Sequence, residues 1–253
     1  MQTDILEPLK DPMLLARLDA LAARHRAASG PGMQLLNRVG GSAENLMAKF
    51  PGPLRDGLDG ATARALEIAF DAAERSRGVV DDRSDWVNRA LTTAMGAAGG
   101  FGGLAGATAE LPFTVTMLLR SIQAIAAGHG FDPASDAVKL ECLRILASAG
   151  PLKDDDGADL ALIAARVTLT GPSLHGMIAK VAPRLAAVLG QKLAAQAAPV
   201  LGAVAGAAVN YAFTNYYQEI AHVHFGLKQL AQDSGADEGH LREELVTRIT
   251  ALQ

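Results

Sequence analysis

The sequence predicts an all-α protein, a single globular domain of about eight to ten helices with Gly/Ala-rich helices at its centre. Three observations carry that expectation. Of the 253 residues, 49% are apolar, yet the excess is Ala and Gly and only 4% are aromatic. Alanine favours helix, and no stretch shows the Val/Ile/Thr/Tyr alternation of a sheet. Apolar residues recur at helical spacing between Pro and Gly punctuation.

The elements follow in order. Asp11-Pro12 starts a helix over 12–29 that ends at "SGPG", with Leu14, Leu15, Leu18, Leu21 and Ala22 on one face. A Gly/Pro-rich connector holds a short helix at "SAENLMAKF", and "PLRDGLDGATARALEIAFDAAERSR" forms a longer one. Ser84 caps "DWVNRALTTAMGAA". Thr108 caps a helix reaching Gly128, with the stripe Leu111, Val115, Leu118, Ile122 and Ile125. "GHG" stops it, and Asp132-Pro133 starts the next, to about Ser148. After the loop "PLKDDDG" come a short helix at "ADLALIAARVTL" and a long one from Pro172, with a kink expected at Pro183. Pro199 opens another long helix, and a charged helix over 237–252 closes the series. An N-terminal helical part, 1–83, leads into a helical core, 84–253, as one continuous domain over 1–253.

Composition narrows the function. The formal charge of -4 gives no electrostatic reason to expect nucleic acid. Cys142 is the sole cysteine, so no internal disulfide forms, which fits a reducing compartment. The start, "MQTDILEPLKDPMLL", carries early acids and lacks a basic region followed by an apolar stretch. The expected place is the cytoplasm, free or peripheral to the inner face of the membrane.

"AMGAAGGFGGLAGATAELPFTVTMLLR" is the most unusual stretch. Its six glycines between Gly96 and Gly106 cost an isolated helix about 6 kcal/mol relative to alanine, so something else must favour that helix. Gly96/Gly100, Gly99/Gly103 and Gly102/Gly106 are overlapping GxxxG pairs, which leave a flat strip beside Phe101 for close approach. Leu193 to Gln218 is also uncharged, and there Gly202, Gly206 and Asn210 share a stripe. Three readings fit both segments: close packing in a core, contact with lipid, and membrane spanning. Weak hydropathy and the lack of basic flanks count against the last. The GxGxxG pattern fails at Ala105, and no Walker Lys-Ser/Thr follows, which excludes a phosphate loop.

"GGLAGATAELPFTVTMLLRSIQAIAAGHGFDP", then "ECLRIL", then "APVLGAVAGAAVNYAF" with "IAHVHFGLK" behind it resemble the EcsC protein family over roughly Trp86 to Lys228. The "AE-x-P" helix start and the "P-x-x-GA-x-x-GA-x-x-N" segment carry the resemblance. His129 stands where an aromatic often precedes the glycine. What the resemblance implies is an association with an ABC-transporter operon, a loosely suggested peptidase relationship and no settled activity. In texture the glycine-rich stretch is also similar to senescence-type domains of lipid-droplet and lipid-transfer proteins.

Individual polar residues offer few sites. Glu110 is either a buried acid gripping a ligand or a first-turn acid favoured by the helix dipole. Glu141 shares an apolar face with Val138 and Ile145, and Arg144 or Arg120 could pair with it in a buried structural network. No HExxH or G-x-S-x-G appears. His222 and His224 point to different faces, Glu219 and His222 form a surface pair, and His129 caps a helix C-terminus. Cys142 reads as a small core residue. Tyr216 and Tyr217 sit either at a lipid–water boundary or in the helix core.

The leading expectation is a non-catalytic lipid-binding or peripheral membrane-associated protein with no metal and no cofactor. Acyl chains would lie on Gly96–Gly106 and Gly202–Gly206, with Tyr216 and Tyr217 near the head groups. The rivals are a peptidase-like hydrolase using Glu110 and Glu141 with a histidine, and a helix-packing module for a membrane-protein partner.

Overall fold

Asp11 and Pro12 start the first helix as their residue types predict. The Asp11 carboxylate accepts a hydrogen bond from Met13 N at 2.9 Å, and its carbonyl accepts from Leu15 N at 3.0 Å. In the computed structural model, residues 10–28, 52–76, 111–147, 174–196 and 202–251 are described. They form seven α-helices and no strand: α1 (Pro12–Ala28), α2 (Gly52–Ser76), α3 (Leu111–Gly128), α4 (Asp136–Ala147), α5 (Leu174–Gln196), α6 (Gly202–Ser234) and α7 (Glu238–Thr250). The expected all-α class holds. The helices expected at "SAENLMAKF", after Ser84 and over "ADLALIAARVTL" lie outside the described residues, as do Thr108 and Glu110.

The expected stripe of α3 is core: Val115, Leu118, Ile122 and Ile125 are all buried. The helix ends in a Schellman turn. Phe131 N donates to Ala126 O at 3.0 Å and Gly130 N to Ala127 O at 2.9 Å, with Gly130 at φ +85°. That left-handed conformation is open to glycine at little cost. His129 thus occupies the C-cap position, and Gly130 does the conformational work.

The start of α4 departs from expectation. Asp132 and Pro133 form a turn, and the helix begins at Asp136. The Asp132 carboxylate is taken by Ala134 N at 2.8 Å, an Asx turn. Ser135 is the cap instead, with Val138 N on its Oγ at 3.3 Å and Lys139 N on its carbonyl at 3.0 Å. α5 passes through Pro183, which is exposed. Gly235, at φ +68°, closes α6 through its N–H to Ala231 O at 2.9 Å. Asp237 then caps α7 by accepting from His240 N at 2.8 Å.

α6 organises the packing. Its 33 residues run about 50 Å, and it touches α1, α3, α4, α5 and α7. The main core joins α2, α3, α4 and α5 to Ala212, Phe213, Tyr216, Tyr217, Ile220, Ala221 and Phe225 of α6. A second core joins Leu14, Leu18, Leu21 and Ala22 of α1 to Val223, Leu227 and Leu230 of α6 and Leu241, Leu245 and Ile249 of α7. One helix therefore serves two cores from overlapping lengths, Ala212 to Phe225 and Val223 to Leu230. Among the described residues no helix is long and apolar enough to cross a membrane.

Candidate functional site

The second half of α6 carries its charge. From Gly202 to Gln218 the helix has none; from Glu219 on come His222, His224, Lys228 and Asp233. Residues four apart share a face, so His224 and Lys228 look the same way, and His222, Gly226 and Gln229 share another. The expectation that His222 and His224 diverge is correct, and each meets a different partner.

His224 and Lys228 meet Glu141. His224 Nε2 lies 3.2 Å from Glu141 Oε2, and the Lys228 ammonium donates to Oε1. The Glu141 side chain is 9% exposed, His224 10% and Lys228 23%, so this is a nearly dry cluster pinning α4 to α6. Phe131 adds a face for the ammonium, 5.9 Å from its ring centroid, and stacks at 5.5 Å on Phe225. Burial pushes the Glu141 carboxyl up. The hydrogen bonds and charges of His224 and Lys228 outweigh it, and the group rests below its ordinary value. Arg144 acts on the same carboxylate through its charge, while burial brings its own guanidinium down. Glu141 is a buried acid that the sequence singled out, and His224 and Lys228 of α6 take its two oxygens. Arg120 lies in α3 and is partly buried.

His222 and Gln229 meet His129. His129 Nδ1 lies 2.8 Å from Gln229 Oε1, and its Nε2 lies 3.2 Å from His222 Nδ1. The Gln229 oxygen places a hydrogen on Nδ1, so Nε2 carries the lone pair that accepts from His222. Gly226 makes room between those two rungs of α6. A Cβ there would stand 3.4 Å from His129 Cε1 and 2.8 Å from Leu21 Cδ2 of α1. Burial pushes the His129 imidazole down, Gln229 pushes it up, and the charges of His222, Arg24 and Arg17 push it down again; the net is below the ordinary value. Glu219 reaches Arg24 of α1 at 3.1 Å, because α1 covers that face and brings its own cation.

The remaining singled-out residues have structural surroundings. Tyr216 and Tyr217 are 1% and 0% exposed, their rings edge to face, and the Tyr217 hydroxyl donates to Leu146 O at 3.4 Å. Both therefore belong to the core. Asn210 and Cys142 are buried. Gly202 opens α6, with Gly206 one turn on. Gly96, Gly99, Gly100, Phe101, Gly103 and Gly106 lie outside the described residues. Lys192, 1% exposed, crosses from α5 to Thr114 Oγ1 at 3.2 Å, a buried cation that helix spacing alone did not mark.

Among the described residues no group of three His, Cys, Asp or Glu side chains could hold a metal ion. With both Glu141 oxygens committed to α6, the cluster ties α4 to α6.

The EcsC protein family model matches residues 79–230, more than half of the chain. The chain belongs to the EcsC family. No curated protein and no solved structure matches it. The EcsC segment contains α3, α4 and α5 and the length of α6 as far as Leu230, with both polar clusters inside it. α1, α2 and α7 lie outside the EcsC segment.

Proposed function

We propose that this EcsC-family protein is a non-catalytic lipid-binding protein that associates peripherally with a membrane. The observation that carries the reading is the uncharged half of α6. Gly202–Gln218 is helical without one charged side chain, and its Tyr211 is 47% exposed. An exposed tyrosine on a small-residue helix suits an acyl–water boundary, ring toward lipid and hydroxyl toward head groups. With Tyr216 and Tyr217 buried, Tyr211 takes the head-group role in this reading. The acyl surface is the strip of small residues at Gly202 and Gly206 together with the overlapping glycine pairs of Gly96–Gly106. The chemistry is partition of apolar surface, with no bond broken.

Native mass spectrometry of gently purified protein, followed by organic extraction, tests it. The expected result is a stoichiometric lipid, together with sedimentation on phosphatidylglycerol vesicles. Gly103→Glu and Tyr211→Asp should both lose the lipid while helical content stays unchanged. A clean apo mass with no vesicle binding, or full binding by both variants, would remove the proposal.

A further inference from the structure

α1 lies on α6 and α7 through a heptad seam. Its buried Leu14, Leu18, Leu21, His25 and Ala28 follow one another in steps of four and three, the a/d spacing of a coiled coil. α6 meets the leucines with Val223, Leu227 and Leu230, and α7 with Leu241, Leu245 and Ile249. Arg17–Asp233 at 2.8 Å and Arg24–Glu219 at 3.1 Å run beside the seam and set α1 antiparallel to α6. Their arginines are 44% and 46% exposed, and ion pairs that open to water contribute little. Apolar contact along the seam is what holds α1 down.

His25 interrupts that contact. It is 8% exposed, and its Nε2 has no hydrogen-bond partner among the described residues. Leu21, four residues before it, belongs to the second core, and Ala28, three after it, belongs to the main core. The ring therefore stands where α1 passes from one core to the other. A lone polar side chain in such a seam costs stability, and its attested use is to set register or to switch. A histidine can switch, because its charge changes close to neutral pH.

We propose that His25 makes the docking of α1 acid-sensitive, protonation of its ring driving α1 off α6 and baring Val223, Leu227 and Leu230. An imidazolium in the seam is cut off from water, whereas on a lifted α1 it is hydrated. Among the described residues, the groups at its level offer no unengaged carboxylate. α1 itself carries Arg24 and Arg26 on either side of the ring. α6 brings Glu219, engaged by Arg24, and His222, beside His129 from the turn after α3. α7 brings Arg248 in its last turn, engaged by Asp19 and Glu244.

The direction of the effect follows from burial, which lowers the His25 imidazole below the ordinary 6.5. The docked helix then binds fewer protons than the lifted one. Docking is fully stable above 6.5 and weakens as pH falls from there through the lowered value. The proposal is independent of lipid binding, since it concerns α1 and its seam rather than the uncharged half of α6.

Hydrogen exchange read by mass spectrometry at about pH 7.5 and about pH 5, corrected for the intrinsic rate, tests it. Peptides over 12–28 should exchange at least about fivefold faster at the lower pH, while those of α3 and α5 stay protected. The ceiling is about thirtyfold, set by the roughly 1.5 units between the ordinary histidine value and pH 5. His25→Leu fills the seam with an apolar side chain, and His25→Asn keeps a polar group there that does not titrate. In both, the acceleration should drop at least about threefold below that of the parent. A parent acceleration under about fivefold, equal acceleration of α3 and α5, or a smaller drop in either variant would overturn the proposal. Should a variant not fold, histidine NMR titration of the unaltered protein decides: a His25 midpoint below 6.5 supports the switch, and one at or above it overturns it.

Discussion

Glu141→Gln is the substitution whose effect the structure defines best. Glutamine keeps the shape and one acceptor, but turns an amide donor toward either the Lys228 ammonium or the His224 ring. Each hydrogen bond to a charged group contributes about 1.5–3 kcal/mol when buried. Here the acceptor is 9% exposed and Lys228 is 23% exposed, so the ammonium can swing partly to water once released. His224, at 10%, has less freedom. Discounting the lysine for that escape leaves a cost of about 2–3 kcal/mol near neutral pH, below the 3–5 of a fully sealed pair. Lys228→Met should cost about 1 kcal/mol, and the double variant less than the sum, with a coupling of about 1–2 kcal/mol.

The pH dependence carries its own sign. The Glu141 carboxyl is held below its ordinary 4.5 in the folded chain, so its contribution is complete above that value and lost as pH falls through the lowered one. Urea unfolding followed by helical circular dichroism should show a constant gap between parent and Glu141→Gln from about pH 8 to about pH 5, shrinking below that. A cost under about 0.5 kcal/mol at neutral pH, or a gap that persists undiminished in acid, would refute the view of the cluster as a charge-held joint between α4 and α6.

Other positions test how α1 packs on α6. Gly226→Ala gains about 1 kcal/mol of helix propensity and pushes only the flexible end of Leu21, so it should be nearly neutral in Tm. Gly226→Val adds branches toward Leu21 and His129 and should cost about 1–3 kcal/mol, with faster hydrogen exchange in α1; an unchanged Tm would mean the approach is looser than described. His25→Leu removes an unsatisfied buried nitrogen and should stabilise by about 1 kcal/mol at neutral pH. Burial lowers the His25 pKa, so the parent carries an added loss of stability as pH falls below 6.5 that the variant lacks, and the gap should widen there. Thermal melts at three pH values would show it, and a gap that narrows in acid would contradict the burial argument.

Punctuation made the helices legible, while the partners stayed hidden. Asp11-Pro12 and "GHG" mark ends through local chemistry, and each marks one in the structure. Asp132-Pro133 misled because the Asp132 side chain closes its own turn and leaves capping to Ser135 three residues on. Tyr216 and Tyr217 show another limit. An amphipathic ring satisfies its hydroxyl equally with water or with a carbonyl, and only the packing reveals that Leu146 is the partner. His129 and His222 are 93 residues apart, and Glu141 and His224 are 83 apart. No local period encodes which helices face each other across such distances. One clue was in reach: Gly226 stands between His222 and Gln229 on one helical face, and a missing side chain between two polar rungs is space for an incoming ring.

The division of α6 gives these clusters their meaning. A continuous 33-residue helix rarely remains uncharged for its first half and turns strongly polar in its second without a change of surroundings. The change is visible. Residues from Ala212 to Phe225 pack into the main core with α3, and residues from Val223 to Leu230 meet α1 and α7. The EcsC match ends at Leu230, so the segment common to the family holds the histidine pair, while α1 and α7, which pack on Val223, Leu227 and Leu230, come from outside it. Glu141 draws the partners of both its oxygens, His224 and Lys228, from α6 within the EcsC segment.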